Sequence, residues 1–298
     1  MNRFLPPVLT ILWLLLSGCG PKQVPAPPPS APAREPRIAL SLGGGAARGF
    51  AHAGVIRVLE EEKIPISMVV GTSAGSLIGA LYAAGAEPLD LEWTAYKLEK
   101  EDVFDFTLLT AWKGTLQGEK LEKFVNDNCR VKNIEETRIP LFIVATDLTT
   151  GEKIVLDSGS IGRAVRASSA IPGVFQPVKI GDRTLVDGGV VDPVPSDVAR
   201  EKGADIVIAV DIGRDVAPDT PSTSLGIVLQ AVQIMAREVG KNGLAKADVA
   251  IIPRVGAIGS FDFSKKKECV AAGMEAAREA LPRLRLAIAT WKQAHVTF

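Results

Sequence analysis

A serine stands between an apolar run and a helix-like pattern in the stretch VVGTSAGSLIGAL, from Val69 to Leu81. The spelling Gly-x-Ser-x-Gly between a strand and a helix is typical of a nucleophile elbow, a sharp turn that exposes the serine hydroxyl at the edge of a sheet. Gly71 and Gly75, on either side of Ser73, could instead serve only to let a strand and a helix pack closely. The pentapeptide is compatible with both interpretations. A nucleophile would also need a base and donors for an oxyanion elsewhere in the sequence, and these distinguish the two.

A serine nucleophile needs a base, and the chain contains only two histidines. His52 falls in the first predicted helix, where a packing or helix-start role is expected. His295 lies among the last four residues, and chain ends are seldom held firmly in place. The order of the residues nevertheless allows a Ser73–Asp187–His295 triad as one hypothesis.

A carboxylate could replace the imidazole. The stretch TLVDGGVVDPVP places Asp187 at the end of a predicted strand, before Gly188 and Gly189, which allow close approach of another segment. An aspartate has a pKa of about 3.9 in water, and partial burial raises it toward the range useful for general-base catalysis. Taken alone, this stretch favours a plain Asp-Gly turn; taken with Ser73, it suggests a Ser-Asp dyad.

A glycine-rich turn, SLGGGAARGFAHAGV, follows the first predicted strand. Unobstructed N–H groups at a helix N-terminus form an anion site. A dinucleotide site would need an acid at the end of the second strand, and a P-loop would need Lys-Ser or Lys-Thr after Gly49, where Phe50 follows. These absences disfavour nucleotide binding. The remaining interpretations are an oxyanion hole for Ser73, with donors from Gly44 and Gly45, and a tight turn with no further role.

Four stretches in this order resemble the patatin-like phospholipase family, in its branch of bacterial proteins with a single patatin domain: GGGAARGFAHAGV, GTSAG, RASSAIPGVFQPV and LVDGGVVDPVP. The resemblance extends from Arg37 to about Val210. It implies a serine acyl-ester hydrolase of the phospholipase A or lysophospholipase type, acting in lipid metabolism on phospholipid or another acyl ester. Ser73 would be the nucleophile and Asp187 its proton acceptor, with no metal and no cofactor.

The resemblance also assigns the surrounding motif residues. Gly44, Gly45 and the neighbouring N–H of Ala46 would form the oxyanion hole, and Arg48 would hold this loop in place. Ala46 departs from the pattern, because many relatives have glycine there and its methyl group restricts the turn. The motif is completed by supporting glycines, which are Gly43, Gly49, Gly71, Gly75, Gly188 and Gly189.

From Arg37 onward, apolar runs alternate with helical periods. The predicted strands are RIALSL, ISMVVG, LFIVATDL, KIVLD, RTLVDGG, ADIVIAVDI and VAIIPRV; the main predicted helices are 50–62, 73–84, 224–239 and 265–288. Pro282 is a candidate kink in the last of these helices. Strands that are apolar on both faces, alternating with helices, predict a three-layer α/β/α fold around a mostly parallel sheet, in one domain over residues 37–298.

The composition excludes some function classes. The chain of 298 residues has 34 basic and 34 acidic side chains and no basic tract, so nucleic acid is not an expected partner. Cys19, Cys129 and Cys269 lack metal-ligand spacing, which argues against a zinc site. Whether the last two cysteines pair, and whether the chain forms oligomers, is left open.

The N-terminal stretch MNRFLPPVLTILWLLLSGCG has a basic start at Arg3 and an apolar run, 8–16, too short to cross a bilayer comfortably. It predicts a signal peptide over 1–18. Its ending resembles a bacterial lipobox, which implies lipidation of Cys19, with 19–36 as a proline-rich tether. An exported lipoprotein is expected, with the outer membrane favoured because Gly20 is not acidic. An ordinary signal peptide with a chance cysteine is the alternative.

Two further alternatives concern function. The apolar run VFDFTLLTAW, 103–112, could line an acyl pocket or touch lipid, or it could simply be buried in the core. A non-catalytic protein that uses the same fold to bind lipid or a partner is the second hypothesis for the whole chain.

Overall fold

A mixed sheet organises the protein. The computed structural model describes residues 34–105, 116–213 and 221–295. The strands in these ranges are β1 Ile38–Leu42, β2 Ile66–Thr72, β3 Leu141–Asp147, β4 Lys153–Leu156, β5 Val178–Ile180, β6 Arg183–Asp187, β7 Ile206–Val210 and β8 Val249–Ile251. The sheet has the order β5-β6-β3-β2-β1-β7-β8, and β4 also pairs with β3. The run from β3 to β8 is parallel, whereas β4, β5 and β6 are antiparallel to their neighbours.

Helices follow most of the parallel strands. They are α1 Phe50–Glu61, α2 Ala74–Ala83, α3 Pro88–Lys97, α4 Lys100–Val103, α5 Glu119–Asn128, α6 Ile161–Ser168, α7 Ser196–Glu201, α8 Ser224–Ala245 and α9 Lys266–Ala294. Alternate residues of one strand serve opposite faces of the sheet. Leu40 packs in the large core with α1, α2 and α9, whereas Ala39 packs in a second core with Val198 of α7. The predicted three-layer α/β/α architecture is confirmed.

Strand register brings the candidate site together. Leu42, the last residue of β1, pairs with Gly71 of β2, so the glycine-rich turn and Ser73 leave the same edge of the sheet. Thr72 pairs with Val144 of β3, and the next residue of β3, Ala145, pairs with Asp187 at the end of β6. Because β6 is antiparallel, its end therefore reaches the turn that follows β2.

Several elements differ from the sequence prediction. Helix α8 reaches Ala245 and α9 reaches Ala294, and α9 continues as one helix through Pro282. The sequence did not predict α6, α7 or β5, which are only three to eight residues long. Short elements give too few periods for a hydrophobic pattern to be recognised.

Some predictions concern residues that the structure does not describe. Residues 1–33, with Cys19, and residues 106–112 of the apolar run lie outside the described ranges. Cys129 and Cys269 are both buried free thiols. Across 34–105, 116–213 and 221–295, no helix combines the length and apolar character that a bilayer crossing requires.

Candidate active site

Ser73 occupies a sharp turn between β2 and α2. Its backbone has φ 53° and ψ −122°, a conformation that non-glycine residues rarely adopt and that costs about 1–3 kcal/mol. Only glycine fits on either side of Ser73, because any other residue would collide with neighbouring atoms. A Cβ at Gly71 would lie 2.6 Å from Ser76 Cα, and one at Gly75 would lie 2.1 Å from Leu42 O. The two interpretations of this stretch, close strand–helix packing and a nucleophile elbow, therefore describe the same feature, because the close packing of β2 against α2 forces the sharp turn at Ser73.

The backbone of Ser73 is held by two other serines. Its N–H donates to Ser168 Oγ at 2.8 Å, and its carbonyl accepts from Ser76 Oγ at 2.6 Å. Ser168 Oγ in turn donates to Val144 O at 2.6 Å, and both Ser76 and Ser168 are fully buried. These bonds stabilise the strained turn, because each would leave a buried polar group unpaired if broken.

The hydroxyl of Ser73 donates to Asp187 Oδ2 at 2.7 Å. The other carboxylate oxygen, Oδ1, accepts the N–H of Gly189 at 2.7 Å. Burial raises the pKa of Asp187 to about 6, although the bonds from Ser73 and Gly189 act in the opposite direction. A carboxylate with this pKa is mostly ionised at neutral pH and is a far better proton acceptor than an aspartate in water.

Asp187 is fixed through its backbone. Its N–H donates to Ala170 O at 3.0 Å, and its carbonyl accepts from Thr146 Oγ1 at 2.9 Å. A Cβ at Gly188 would lie 2.3 Å from Val144 O, so only glycine allows β6 to turn this close to β3. The backbone around Asp187 is therefore held in place, and the side chain reaches Ser73 from a fixed position.

The three predicted oxyanion donors differ in their hydrogen bonds. The N–H of Gly44 donates to Pro193 O at 2.9 Å, and the N–H of Gly43 donates to Val210 O at 2.9 Å. Among the described residues, no acceptor pairs with the N–H groups of Gly45 and Ala46. The N–H of Gly44 is thus occupied, whereas the other two predicted donors, Gly45 and Ala46, keep N–H groups without an acceptor in the described part of the chain.

Arg48 lies beneath this turn and is buried. Its Nε donates to Ile212 O at 2.8 Å, and its Nη1 donates to Ile258 O at 3.1 Å and to Ser260 Oγ at 3.3 Å. These bonds connect the turn to the chain after β7 and after β8. The residue just before α1 is closely packed too, since a Cβ at Gly49 would lie 2.7 Å from Ala74 Cβ.

Neither histidine reaches the serine hydroxyl. His52 is buried, its Nε2–H donates to Gly43 O at 2.8 Å, and burial lowers its pKa to about 4. His295 is exposed at the end of α9, where its Nδ1 lies 2.8 Å from Trp291 O and its ring stacks on Trp291. Trp291 lies under Arg34, which pairs with Asp205 just before β7. His295 therefore lies near the N-terminal ends of the parallel strands, whereas Ser73 follows the C-terminal end of β2. The geometry does not support a triad through His295.

Two cavities meet at Ser73. The smaller, of about 60 Å³, is lined almost entirely by apolar side chains, including Leu77, Phe104 and Phe175. The larger, of about 300 Å³, has polar walls that include Asp187 and Gln233. Val103 and Phe104 of the apolar run line the smaller cavity, and the same two residues pack in a buried hydrophobic cluster, so they do not separate the two interpretations of that run. Its residues 106–112 are outside the described ranges. Within the described ranges, no group of acidic, histidine or cysteine side chains is arranged to hold a metal.

Comparison with known proteins places the chain in a family. Residues 40–200, more than half of the chain, match the family described as patatin-like phospholipase. The chain belongs to this family. The match begins in β1 and ends in α7, so the patatin-like region contains the glycine-rich turn, the elbow and Asp187, whereas α8 and α9 lie outside it.

The patatin-like region is shared with longer proteins. An uncharacterized NTE family protein of Mycobacterium bovis is 37% identical over 184 residues, which are 61% of this chain and 51% of that protein. Lysophospholipase NTE1 of Mycosarcoma maydis is 38% identical over 186 residues, 59% of this chain and 10% of the fungal protein. The chain therefore spans about half of the bacterial relative and a small part of the fungal one.

A solved structure shows the same fold. The crystal structure of VipD from Legionella pneumophila superimposes with a TM-score of 0.50 at 15% identity, covering 89% of this chain and 68% of that one. At this identity the likeness concerns the patatin-like fold alone.

Sequence reasoning missed Ser168. This residue lies within RASSAIPGVFQPV, one of the stretches that resemble the patatin-like family, but nothing in its type or spacing connects it to Ser73. Its role becomes visible only because α6 ends where β2 turns into α2. Membership of the motif was the sole signal that could have drawn attention to it.

Proposed function

We propose that the protein is a serine hydrolase of carboxylic esters in phospholipids or lysophospholipids, with Ser73 and Asp187 as a catalytic dyad. The observation that carries this proposal is the 2.7 Å bond from Ser73 Oγ to Asp187 Oδ2, made by a buried carboxyl whose pKa is raised to about 6. Family membership supports the same reaction, and the name of the fungal relative supports a lysophospholipid substrate.

The reaction would proceed through an acyl-enzyme. Asp187 accepts the Ser73 proton as the hydroxyl oxygen attacks the ester carbonyl, and the N–H groups of Gly45 and Ala46 stabilise the oxyanion. Protonated Asp187 then donates to the leaving alcohol. Water attacks the acyl-enzyme by the same steps in reverse, and Ser73 is regenerated. Loss of one oxyanion donor typically lowers the rate by about two to three orders of magnitude.

The two cavities would receive the two parts of the substrate. The apolar cavity between Leu77 and Phe175 suits the acyl chain, because its walls offer almost no polar group. The larger cavity suits the alcohol part with its phosphate, since Gln233 and the exposed cation Arg237 are on its wall. Ser73 lines both cavities and lies where they meet.

The cellular setting is proposed from sequence alone. An exported lipoprotein anchored through Cys19 would hold the hydrolase near its lipid substrate, with the outer membrane favoured. Incorporation of labelled fatty acid into the full chain, lost in Cys19→Ser, would support the anchor. Equal incorporation in both would refute it.

A fluorophosphonate probe tests the nucleophile. The full chain should be labelled, Ser73→Ala should not, and Ser158→Ala, a change at an exposed serine, should be labelled like the parent. Asp187→Asn should react far more slowly, because the hydroxyl loses its proton acceptor. Labelling of Ser73→Ala to the parent level would remove Ser73 from the mechanism. Binding of phospholipid without turnover by the parent chain would instead favour the non-catalytic hypothesis.

A further inference from the structure

Helix α8 is apolar on both of its sides. Its inward residues Leu229, Val232 and Ala236 line the larger cavity at Ser73. Positions 224–236 of the sequence contain no charged side chain at all. A helix on the surface of a water-soluble protein ordinarily has a charged outer face, so the outer face of α8 calls for an explanation.

The outer face carries a stripe of exposed aliphatic side chains. Ile227, Val228, Ile234 and Met235 are 53%, 52%, 43% and 57% exposed. Seven residues, or two helical turns, separate Ile227 from Ile234 and Val228 from Met235, and the exposed Ala231 lies on the turn between the two pairs. Single exposed apolar residues are normal, whereas a contiguous exposed apolar patch marks a surface that meets lipid or protein.

Two further exposed apolar residues line the cavity itself. Val190 and Ile252 both line that cavity and are 40% and 57% exposed. Helix α8 contacts the turn Gly188–Val190, which directly follows Asp187. Exposed apolar side chains therefore lie both on the outer face of α8 and, through Val190 and Ile252, on the wall of the cavity that reaches Ser73.

We infer that this surface, formed by the outer face of α8 with Val190 and Ile252, docks on a lipid bilayer and turns the cavity mouth toward it. Two features favour lipid over a protein partner. The stripe contains no aromatic residue, and Tyr and Trp are among the residues most enriched at the centre of protein interfaces. The first cation after the stripe, Arg237, is exposed and stands on the cavity wall, where it can meet a lipid phosphate. The docking does not depend on which residue performs hydrolysis.

A polarity-sensitive fluorophore on single introduced cysteines tests the orientation. The full chain with Cys19→Ser and Ser73→Ala is labelled at Met235→Cys or at Leu286→Cys, which is 67% exposed on α9. Both native thiols are buried, and burial raises the pKa of Cys129 to about 12 and of Cys269 to about 11, so they compete little for the label. Vesicles of phosphatidylcholine with a minor fraction of phosphatidylglycerol should shift the emission to the blue at position 235 only. Equal shifts at both positions, or none, would overturn the proposal.

Paired substitutions test the contribution of the stripe. In the same background, Val228→Gln with Met235→Gln should weaken vesicle binding at least about tenfold, because two half-exposed aliphatic chains no longer enter the lipid. Leu148→Gln with Leu286→Gln, equally apolar and exposed elsewhere, should change it less than about twofold. Thermal unfolding checks that both variants fold.

The same samples exclude other occupants of the surface. If the label at position 235 were shielded without vesicles, another part of this chain would cover α8. If the stripe variant converted a dimer to a monomer in sedimentation velocity, a second copy would cover it. Either result would overturn lipid docking. Because binding is measured without Ser73, these outcomes are separate from the fate of the hydrolase proposal.

Discussion

The N–H of Ser73 donates to the hydroxyl oxygen of Ser168 at 2.8 Å, across 95 positions of sequence. This bond places the end of α6 directly against the turn that exposes the candidate nucleophile. Since the same hydroxyl donates to Val144 O at 2.6 Å, one side chain ties Ser73 to β3, the strand beside which Asp187 also lies. Ser168 is therefore placed to position both Ser73 and Asp187, the two members of the proposed dyad.

Ser168→Ala is expected to reduce both stability and turnover. Removal of the hydroxyl leaves the Ser73 N–H and the Val144 carbonyl unpaired in a buried region, at about 1–3 kcal/mol for each group. The strained turn at Ser73 should relax, so kcat should fall more than KM changes. Urea unfolding and steady-state kinetics with a soluble ester measure the two effects.

Ser41→Ala is the matched control for Ser168→Ala. Ser41 is also a fully buried serine, but its hydroxyl has no hydrogen-bond partner in the described part of the chain. Its removal should leave stability nearly unchanged. Ser168→Thr, which keeps a hydroxyl, should recover part of kcat. Equal effects of Ser41→Ala and Ser168→Ala would show that the bond to Ser73 is unimportant.

The rate of hydrolysis should depend on pH through Asp187. A general base must be ionised, and burial raises the pKa of this carboxyl from 3.8 to about 6. With a neutral ester, kcat/KM should therefore be flat above about pH 7 and fall about tenfold per unit below pH 6. A midpoint near 4 would mean that Asp187 behaves as an exposed carboxyl and does not fit the buried dyad.

A second carboxyl must be separated from this titration. Burial raises the pKa of Asp192 to about 7, although Lys153 at 3.0 Å acts in the opposite direction. The carbonyl of Asp192 accepts from Thr72 Oγ1, next to Ser73, so its ionisation could reach the site indirectly. Asp192→Asn should leave the midpoint near 6 in place, and disappearance of that midpoint would assign it to Asp192.

The stability of the protein should show the opposite pH dependence at Asp187. A folded-state pKa above the unfolded value means that the folded protein binds the proton more tightly, so its contribution is fully present below about pH 4 and is lost as pH rises through 6. Asp187→Asn should abolish hydrolysis yet raise the free energy of unfolding at pH 8 by about 3 kcal/mol, because the pKa is raised from 3.8 to about 6 and each unit corresponds to roughly 1.4 kcal/mol. The gain should vanish near pH 4.

Denaturant unfolding at several pH values measures this gain. Asp182→Asn, a change at an exposed aspartate on the turn before β6, serves as the control, and because its side chain is exposed it should change the free energy of unfolding by less than about 0.5 kcal/mol. A variant Asp187→Asn less stable than the parent at pH 8 would mean that the ionised carboxyl stabilises the fold, contrary to the cost of its burial.

The sequence predicted the main architecture and the pair of residues at the site. Buried runs such as that around Leu40 alternate with helices, and this pattern alone predicts a parallel, doubly covered sheet. Ser73 and Asp187 were also predicted to meet, because glycines flank Ser73 and follow Asp187, which allows close approach, and because the order of motifs resembles a known family.

The details that the sequence could not predict depend on contacts between distant segments. The N–H of Gly44 is paired because Pro193 comes within 2.9 Å of it, and no local pattern indicates that approach. The bond from Ser73 to Ser168 depends likewise on where α6 ends. Such contacts follow from strand register and helix packing, which residue spacing leaves undetermined.

Ala46 has a conformation that glycine would adopt more readily. Its φ is 52°, in the left-handed region where a side chain costs about 1–2 kcal/mol. Ala46→Gly removes that cost. It also increases the conformational entropy of the unfolded chain, which lowers the free energy of unfolding by about 0.5–1 kcal/mol. The variant should therefore be as stable as the parent or up to about 1 kcal/mol more stable, as measured by urea unfolding.

The next residue provides the matched control for this prediction. Ala47 has a negative φ within the short 3-10 turn Ala46–Gly49, so Ala47→Gly gains nothing from relief of strain and should lose about 1 kcal/mol. The difference in sign between two neighbouring Ala→Gly changes is the diagnostic result. If both variants lost the same stability, the left-handed conformation of Ala46 would carry no strain. Backbone strain at Ala46 would then not explain why the N–H groups of Gly45 and Ala46 are left without acceptors.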